Sequence, residues 1–462
     1  MACAVLALAA FNLTFRLGNE IVTEWDESLY ATTAWEMVTS GDWVGTTFDG
    51  ALDYYNSKPP LNVWLIALAF QAFGPGLISL RIVSVLAAWT TVAVLIFWLR
   101  RVLGSTAAVL AGLTLATLFG FLYVHAGRSG NADALYALLV LLTVVTLWAS
   151  LDRPWRQIWL GPILAAAFLL KGMGVLMPLA LVLGVGLTMP RRARRLSPIL
   201  SAAGLFVLPV GAWAVARWRI DQWTFFERLF MQDFVAGTFT VLEEHPGTPF
   251  FYVAQLAKDH YDWLFAAFVA FAAQPLSRVE WRRVATFWCD RGGPATILGA
   301  WAIVTLLIPT LVRTKLPWYL NPFFPAFAVG VGWLVSRAIT GAAGTRRALA
   351  VAALAVTVVA AESRLIWYSI HHRDVSTSVQ GVLLAEQNRL AGCHVFTNRW
   401  NTADRFVLNA VVGASHGTAA SVDDFRRASQ VGDYLLLSAE TIQPDLELVR
   451  ASAGHWLYVR RS

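Results

Sequence analysis

Charge is scarce in this sequence. Charged residues make up 14% of its 462 positions, against about a quarter in an ordinary soluble chain. Hydrophobic residues reach 57% and mean hydropathy is +0.57. That leaves too little polar surface for a water-soluble fold, so most of the chain is expected to face lipid. Cysteine is nearly absent too. Cys3, Cys289 and Cys393 lie far apart on different expected elements, which excludes a disulfide framework and a metal knuckle. No glycine-rich phosphate loop or dinucleotide fingerprint occurs, and the apolar N-terminus has no basic leader of the kind that opens a cleavable signal peptide. Lysine is the rarest charge: Lys58, Lys171, Lys258 and Lys315 stand against 32 arginines.

What the chain does have is long apolar runs. About 20 such residues cross the hydrocarbon core as a helix, and eleven candidates fit, near 1–17, 78–99, 105–125, 134–151, 156–170, 173–190, 197–217, 261–276, 294–312, 318–337 and 347–370. The net charge of +7 does not point to nucleic acid, because the arginines cluster in alternate loops. Such loops are cytoplasmic by the positive-inside rule. The clusters are Arg100-Arg101, Arg153 with Arg156, Arg191-Arg192 with Arg194-Arg195, Arg278 with Arg282-Arg283, and Arg346-Arg347. Loops 18–77, 126–133, 218–260 and 313–317 then face outward, together with everything after 370. The expected fold is an all-α polytopic membrane bundle over residues 1–370, followed by a small external soluble α/β domain over 371–462. In that tail, strand-like runs at Cys393–Thr397, Tyr434–Ser438 and His455–Val459 alternate with polar helical stretches near 402–412 and 421–428. Within the first external loop, Asp26 to Val38 has helical spacing and one apolar face, and Leu61 to Phe73 follows Pro59-Pro60, which suits a helix start. Both are expected to be interfacial helices.

The rare charges share one geography. All four lysines fall at outward ends of spans or in outward loops, where topology asks for no positive charge. Snorkelling at helix ends accounts for such a pattern, and so does a shared anionic ligand. Asp26 and Glu27 sit just outside the first span, and Asp133 sits where the fourth enters the membrane. Ionisable groups at such depths are usually functional or paired, and an ion pair between Asp133 and Arg128 is the structural alternative.

The motif Trp25-Asp26-Glu27-Ser28-Leu29-Tyr30 is followed by Ser40-Gly41-Asp42-Trp43 and Ser57-Lys58-Pro59-Pro60-Leu61. This series resembles the first external loop of the protein O-mannosyltransferase and lipid A aminoarabinose transferase superfamily, glycosyltransferases of the C-type membrane fold. The resemblance continues through Arg128 to Asp133, Leu170-Lys171-Gly172, and Glu244-His245 with Pro249-Phe250-Phe251-Tyr252. It ends on Thr314-Lys315-Leu316-Pro317-Trp318-Tyr319 with Pro322 and Pro325, and so covers the chain to about residue 337.

The resemblance implies transfer of a sugar from a polyprenyl-phosphate donor to an acceptor hydroxyl of a glycolipid, polysaccharide or protein, on the outer face of the cytoplasmic membrane. The chemistry agrees with the residues. A phosphate leaves as a stable anion and needs cations, whereas the attacking hydroxyl needs a base. By family position Asp26 is the base and acceptor orienter, with Glu27 and Asp133 as secondary acids. Lys58, Arg128, Lys171 and Lys315 hold the donor phosphate and Tyr319 donates a hydroxyl, and direct displacement implies inversion. One departure concerns metal. In the aminoarabinose branch the residue before the Lys-Pro-Pro lysine is typically a glutamate that helps to bind a metal; here it is Ser57, and His245 without a carboxylate partner makes a poor zinc site. No cofactor is firmly expected; a divalent metal stays open, with His245 as a candidate contact to metal or substrate. The rival reading is a transporter or flippase of a lipid-linked sugar, which should show two related halves with interrupted helices; no such symmetry is visible. A sensor or assembly protein would need a ligand signature in the tail, and none occurs.

Overall fold

The computed structural model describes the chain outside residues 190–194, 241–246 and 275–292. His245, Cys289 and the arginines at 191–194, 278 and 282–283 lie outside the described residues. Leu, Val, Ala and Phe supply both propensity and apolar surface for a series of long helices. These are α1 (Ala2–Thr14), α4 (Leu77–Val102), α5 (Ser105–Ala116), α7 (Asp133–Ser150), α8 (Leu160–Lys171), α9 (Leu176–Thr188) and α10 (Leu196–Asp221). Four more follow, at Tyr261–Ala272, Pro294–Leu311, Phe324–Gly341 and Gly344–His371. Each expected span overlaps a helix among the described residues, and the one near 105–125 is broken into α5 and α6 (Phe119–Tyr123). Seven helical runs among the described residues are long and apolar enough to cross a membrane, one of them (Pro154–Thr188) covering two expected spans; the others are shorter.

In lipid, where apolar contact gives little net drive, small residues let helix backbones approach closely. Gly332 illustrates this: a Cβ there would stand 2.4 Å from the backbone nitrogen of Ala111 on α5. Outward-facing Leu200, Val207 and Leu208 on α10 stay exposed, as a lipid-facing surface requires.

The first outward loop folds into α2 (Asp26–Ser40), a two-stranded hairpin of β1 (Thr47–Phe48) and β2 (Ala51–Leu52), and α3 (Leu61–Phe73). The apolar face of α2 is covered by protein. Glu27 through Ala34 form one continuous buried run, because α3 covers one side of the helix and the tail covers another. An amphipathic pattern cannot distinguish a headgroup layer from a second protein surface. The apolar core beneath it joins Val22, Tyr30, Ala31, Met37, Val63 and Phe70 to Val382, Leu383, Phe406 and Val407 of the tail. Phe70 and Phe406 stack with ring centroids 5.9 Å apart.

The tail carries a five-stranded mixed sheet, ordered β4-β3-β5-β7-β6 from β3 (His394–Thr397), β4 (Ser415–Thr418), β5 (Tyr434–Leu437), β6 (Leu446–Ser452) and β7 (His455–Arg460). β3 runs parallel to β4 and β5, so helical crossovers at Thr402–Val412 and Val422–Ala428 join them. Strand alternation sends Val395, Leu436 and Leu457 into the core shared with the first loop, and Phe396, Leu435 and Tyr458 to the opposite face, against Phe425. Further ties are the ion pairs Arg405–Asp49 and Arg16–Asp374 and a 2.6 Å contact between the Ser28 and Thr402 hydroxyls.

Candidate active site

Asp26 is the first residue of α2, where the positive end of the helix dipole favours a carboxylate. Its neighbour Glu27 fixes the position. One Glu27 carboxylate oxygen accepts from Arg81 Nε (2.8 Å) and the Gly130 amide (2.9 Å), the other from the Thr23 amide (2.8 Å) and hydroxyl (2.9 Å). Arg81, fully buried on α4, also donates to the carbonyls of Leu17, Glu20 and Ile21. The Glu27 carboxyl is held down to about 2: burial opposes its charge, and Arg81 outweighs that. Both Glu27 oxygens are thus engaged in bonds that hold the fold. Its bond to Gly130 also ties α2 to the loop leading into Asp133.

Arg128 is likewise engaged elsewhere. It pairs with buried Glu20 and donates to the carbonyls of Asn12 and Phe15, with its own side chain 1% exposed. The alternative pair with Asp133 does not form, since Asp133 pairs with Lys171. The sequence offers no cue that Glu20, 108 residues away, outcompetes Asp133. Lys315 is held at a helix end. Its ammonium donates to the carbonyls of Pro309, Thr310 and Val312, capping the helix Pro294–Leu311, and it lies 5.7 Å from the Tyr252 ring centroid. Tyr319 sits on the short turn Pro317–Leu320 and interacts electrostatically with Tyr252.

The structure does bring Asp26, Lys58, Asp133 and Lys171 together from four separate segments. Lys58 Nζ lies 3.3 Å from Asp26 Oδ1 and 5.5 Å from the Tyr30 ring centroid. Lys171 Nζ lies 2.7 Å from Asp133 Oδ1 and 5.3 Å from the Tyr136 centroid. Lys171 ends α8, where Gly172 (φ +51°) breaks the span before α9, and Tyr136 donates to the Gly174 carbonyl across that break (2.6 Å). Irregular backbone at such depth is tolerated where it lines a protein site. Burial opposes the Asp26 charge, but Lys58, His125 and Lys171 together overcome it and hold the carboxyl below the ordinary aspartate value.

His125 joins the site although no motif named above contains it. Its ring stacks on Trp318 at 3.8 Å with 10° between planes, and its Nδ1 stands 4.0 Å from Asp26 Oδ2. The motif around Tyr319 thus reaches the site through the neighbouring tryptophan. A histidine beside one family motif and a tryptophan within another were the available signal. For metal, Ser57 is buried and offers no carboxylate, His245 lies outside the described residues, and among the described residues no three His, Cys, Asp or Glu side chains cluster closely enough to hold an ion. The arrangement is suited to receive one anion between two cations, with a carboxylate on each side.

Residues 57–215 match the dolichyl-phosphate-mannose-protein mannosyltransferase family. The chain is 31% identical over 347 residues to an undecaprenyl phosphate-alpha-4-amino-4-deoxy-L-arabinose arabinosyl transferase of Pseudomonas aeruginosa, covering 71% of this chain and 59% of that protein. A second such transferase, from Pseudomonas fluorescens, is 30% identical over 344 residues, with 71% and 55% covered. The chain thus spans less than two thirds of the length of these curated relatives. Among solved structures, ArnT from Cupriavidus metallidurans bound to undecaprenyl phosphate aligns with a TM-score of 0.70 at 16% identity, over 99% of this chain and 97% of that one. The archaeal oligosaccharyltransferase AglB of Archaeoglobus fulgidus, in complex with an inhibitory peptide and a dolichol-phosphate, aligns at 0.56 and 14%, over 90% and 64%. At those identities the likeness is one of fold.

Proposed function

We propose that the chain is a member of the superfamily of C-type membrane glycosyltransferases that holds the protein O-mannosyltransferases and lipid A aminoarabinose transferases, and that it moves a sugar from a polyprenyl-phosphate donor to an acceptor hydroxyl at the outer face of the cytoplasmic membrane. The observation that carries the reading is the cluster of Asp26, Lys58, Asp133 and Lys171, each cation already seated on a carboxylate. The donor phosphate takes the place of the carboxylates on Lys58 and Lys171. That exchange leaves Asp26 free to receive the acceptor's proton, while the lysines stabilise the charge that grows on the departing phosphate. Backside attack by the hydroxyl inverts the anomeric carbon. Ser57, in place of the glutamate of the aminoarabinose branch, argues for a different sugar or acceptor.

The test is transfer by the purified protein in liposomes, with a labelled polyprenyl-phosphate sugar and a panel of hydroxyl acceptors. The expected product has inverted anomeric configuration. Movement of the donor across the bilayer without any transfer would support the flippase reading instead.

A further inference from the structure

We propose that His125 takes the acceptor's proton from Asp26 and carries it out of the site, which rests on the transferase reading above. His125 has a left-handed backbone (φ +53°) that is not a glycine's, a strained conformation kept where the surroundings dictate it. Held that way against Trp318, the imidazole puts Nδ1 towards Asp26. That nitrogen is buried and has no hydrogen-bond partner among the described residues, an arrangement that costs free energy unless another state of the site uses it. At 4.0 Å the two atoms stand about 1 Å beyond a hydrogen bond, a gap of the kind that closes when a site is loaded. About a quarter of the side chain, 27%, is exposed, which gives the proton a route to water.

The groups facing the ring are Asp133, Asp26, Lys171 and Glu27. Burial opposes protonation most strongly and Lys171 adds to it. The three carboxylates pull the other way without cancelling it, so the imidazole stays neutral at neutral pH and can accept a proton. Asp26 alone is a weak base, since its neighbours hold its carboxyl low, and a base works best near the operating pH. The step balances. A lone pair of the acceptor oxygen bonds to the anomeric carbon, and the carbon–oxygen bond to phosphate breaks with its electron pair going to the polyprenyl phosphate. The hydroxyl proton passes to Asp26 Oδ2, then to His125 Nδ1, and the imidazolium releases it to water.

The experiment joins a pH profile of kcat/KM to histidine NMR on the full-length protein in detergent. In the wild type, turnover should rise with pH through an imidazole midpoint below 6.5, the ordinary histidine value. In His125→Gln, whose amide still stacks on Trp318, turnover at neutral pH should fall by about 10²-fold and that limb should disappear, with donor binding unchanged. Free imidazole should restore part of the turnover of His125→Ala. In NMR the one histidine signal missing from His125→Gln should titrate at a lower pH in Asp26→Asn, because the carboxylate that favours the imidazolium is gone. Wild-type turnover and an unchanged limb in His125→Gln would overturn the relay and leave the transferase standing, as would an unmoved His125 titration in Asp26→Asn. A wild type that transfers from no polyprenyl-phosphate sugar, with the NMR coupling intact, would overturn the transferase reading and the relay with it.

Discussion

Replacing Glu27 by glutamine tests whether this residue is structure or chemistry. Both Glu27 and Arg81 have side chains that are 0% exposed, so the charge left on Arg81 could not be relieved by water. Removing one partner of a buried pair typically costs about 3–5 kcal/mol. The geometry adds to the problem, since both carboxylate oxygens accept hydrogen bonds. A glutamine NH2 must then face at least one donor. The loss should fall on the turn Leu17–Asp26 and on the tie to Gly130, and so on the whole site. The assay is thermal unfolding of purified protein in detergent, with turnover measured well below the transition. Glu27→Gln should unfold at a distinctly lower temperature, and a paired Glu27→Met, Arg81→Met protein should recover much of the loss because no charge is stranded. A Glu27→Gln protein with wild-type stability and no turnover would refute the structural reading and return Glu27 to the catalytic group.

Two further outcomes follow from the tail. Deleting residues 377–462 should lower thermal stability sharply, because Val382, Leu383, Phe406 and Val407 complete the core around Tyr30 and Phe70; a truncation as stable as the full chain would contradict that shared core. Burial raises the Asp404 carboxyl from 3.8 to about 6, with Gln380 and Asn401 pulling the other way. Its protonated form therefore suits the fold: that contribution is complete below about pH 4 and lost as pH rises through about 6. Asp404→Asn should flatten the decline in stability across this window, and an unchanged pH profile would sink the argument.

Several features were legible in the chain because one local property decides them. The apolar runs that became α4, α7 and α10 needed only length and hydropathy, and β5 and β7 announced themselves by Tyr434-Leu-Leu and Trp456-Leu-Tyr-Val. β4 was missed because Ser415-His-Gly-Thr carries no apolar alternation. It is an edge strand, held by its pairing with β3. β6, the other edge, hides its pattern behind Glu447 and Arg450 and is bulged between Leu448 and Arg450. In the site, Asp26, Lys58, Asp133 and Lys171 stood out as ionisable groups at the ends of apolar runs. Their pairing did not, since it depends on tertiary distance. Arg128, Lys171 and Lys315 look alike in one dimension; in three, a buried glutamate takes the first, an aspartate the second and a helix end the third. Arg81 was invisible because it lies inside an apolar span and its partner on another element.

The most direct test of the account compares Asp26→Asn with Lys171→Ala in detergent, measuring turnover and donor affinity with a purified polyprenyl-phosphate sugar. Asp26→Asn keeps the shape and cannot take a proton, so turnover should fall about 10²–10⁴-fold with donor binding nearly unchanged. Lys171→Ala removes a cation from the phosphate site, so affinity and turnover should fall together. Undiminished transfer by a folded Asp26→Asn protein would contradict the assignment of the base, and with it the central claim.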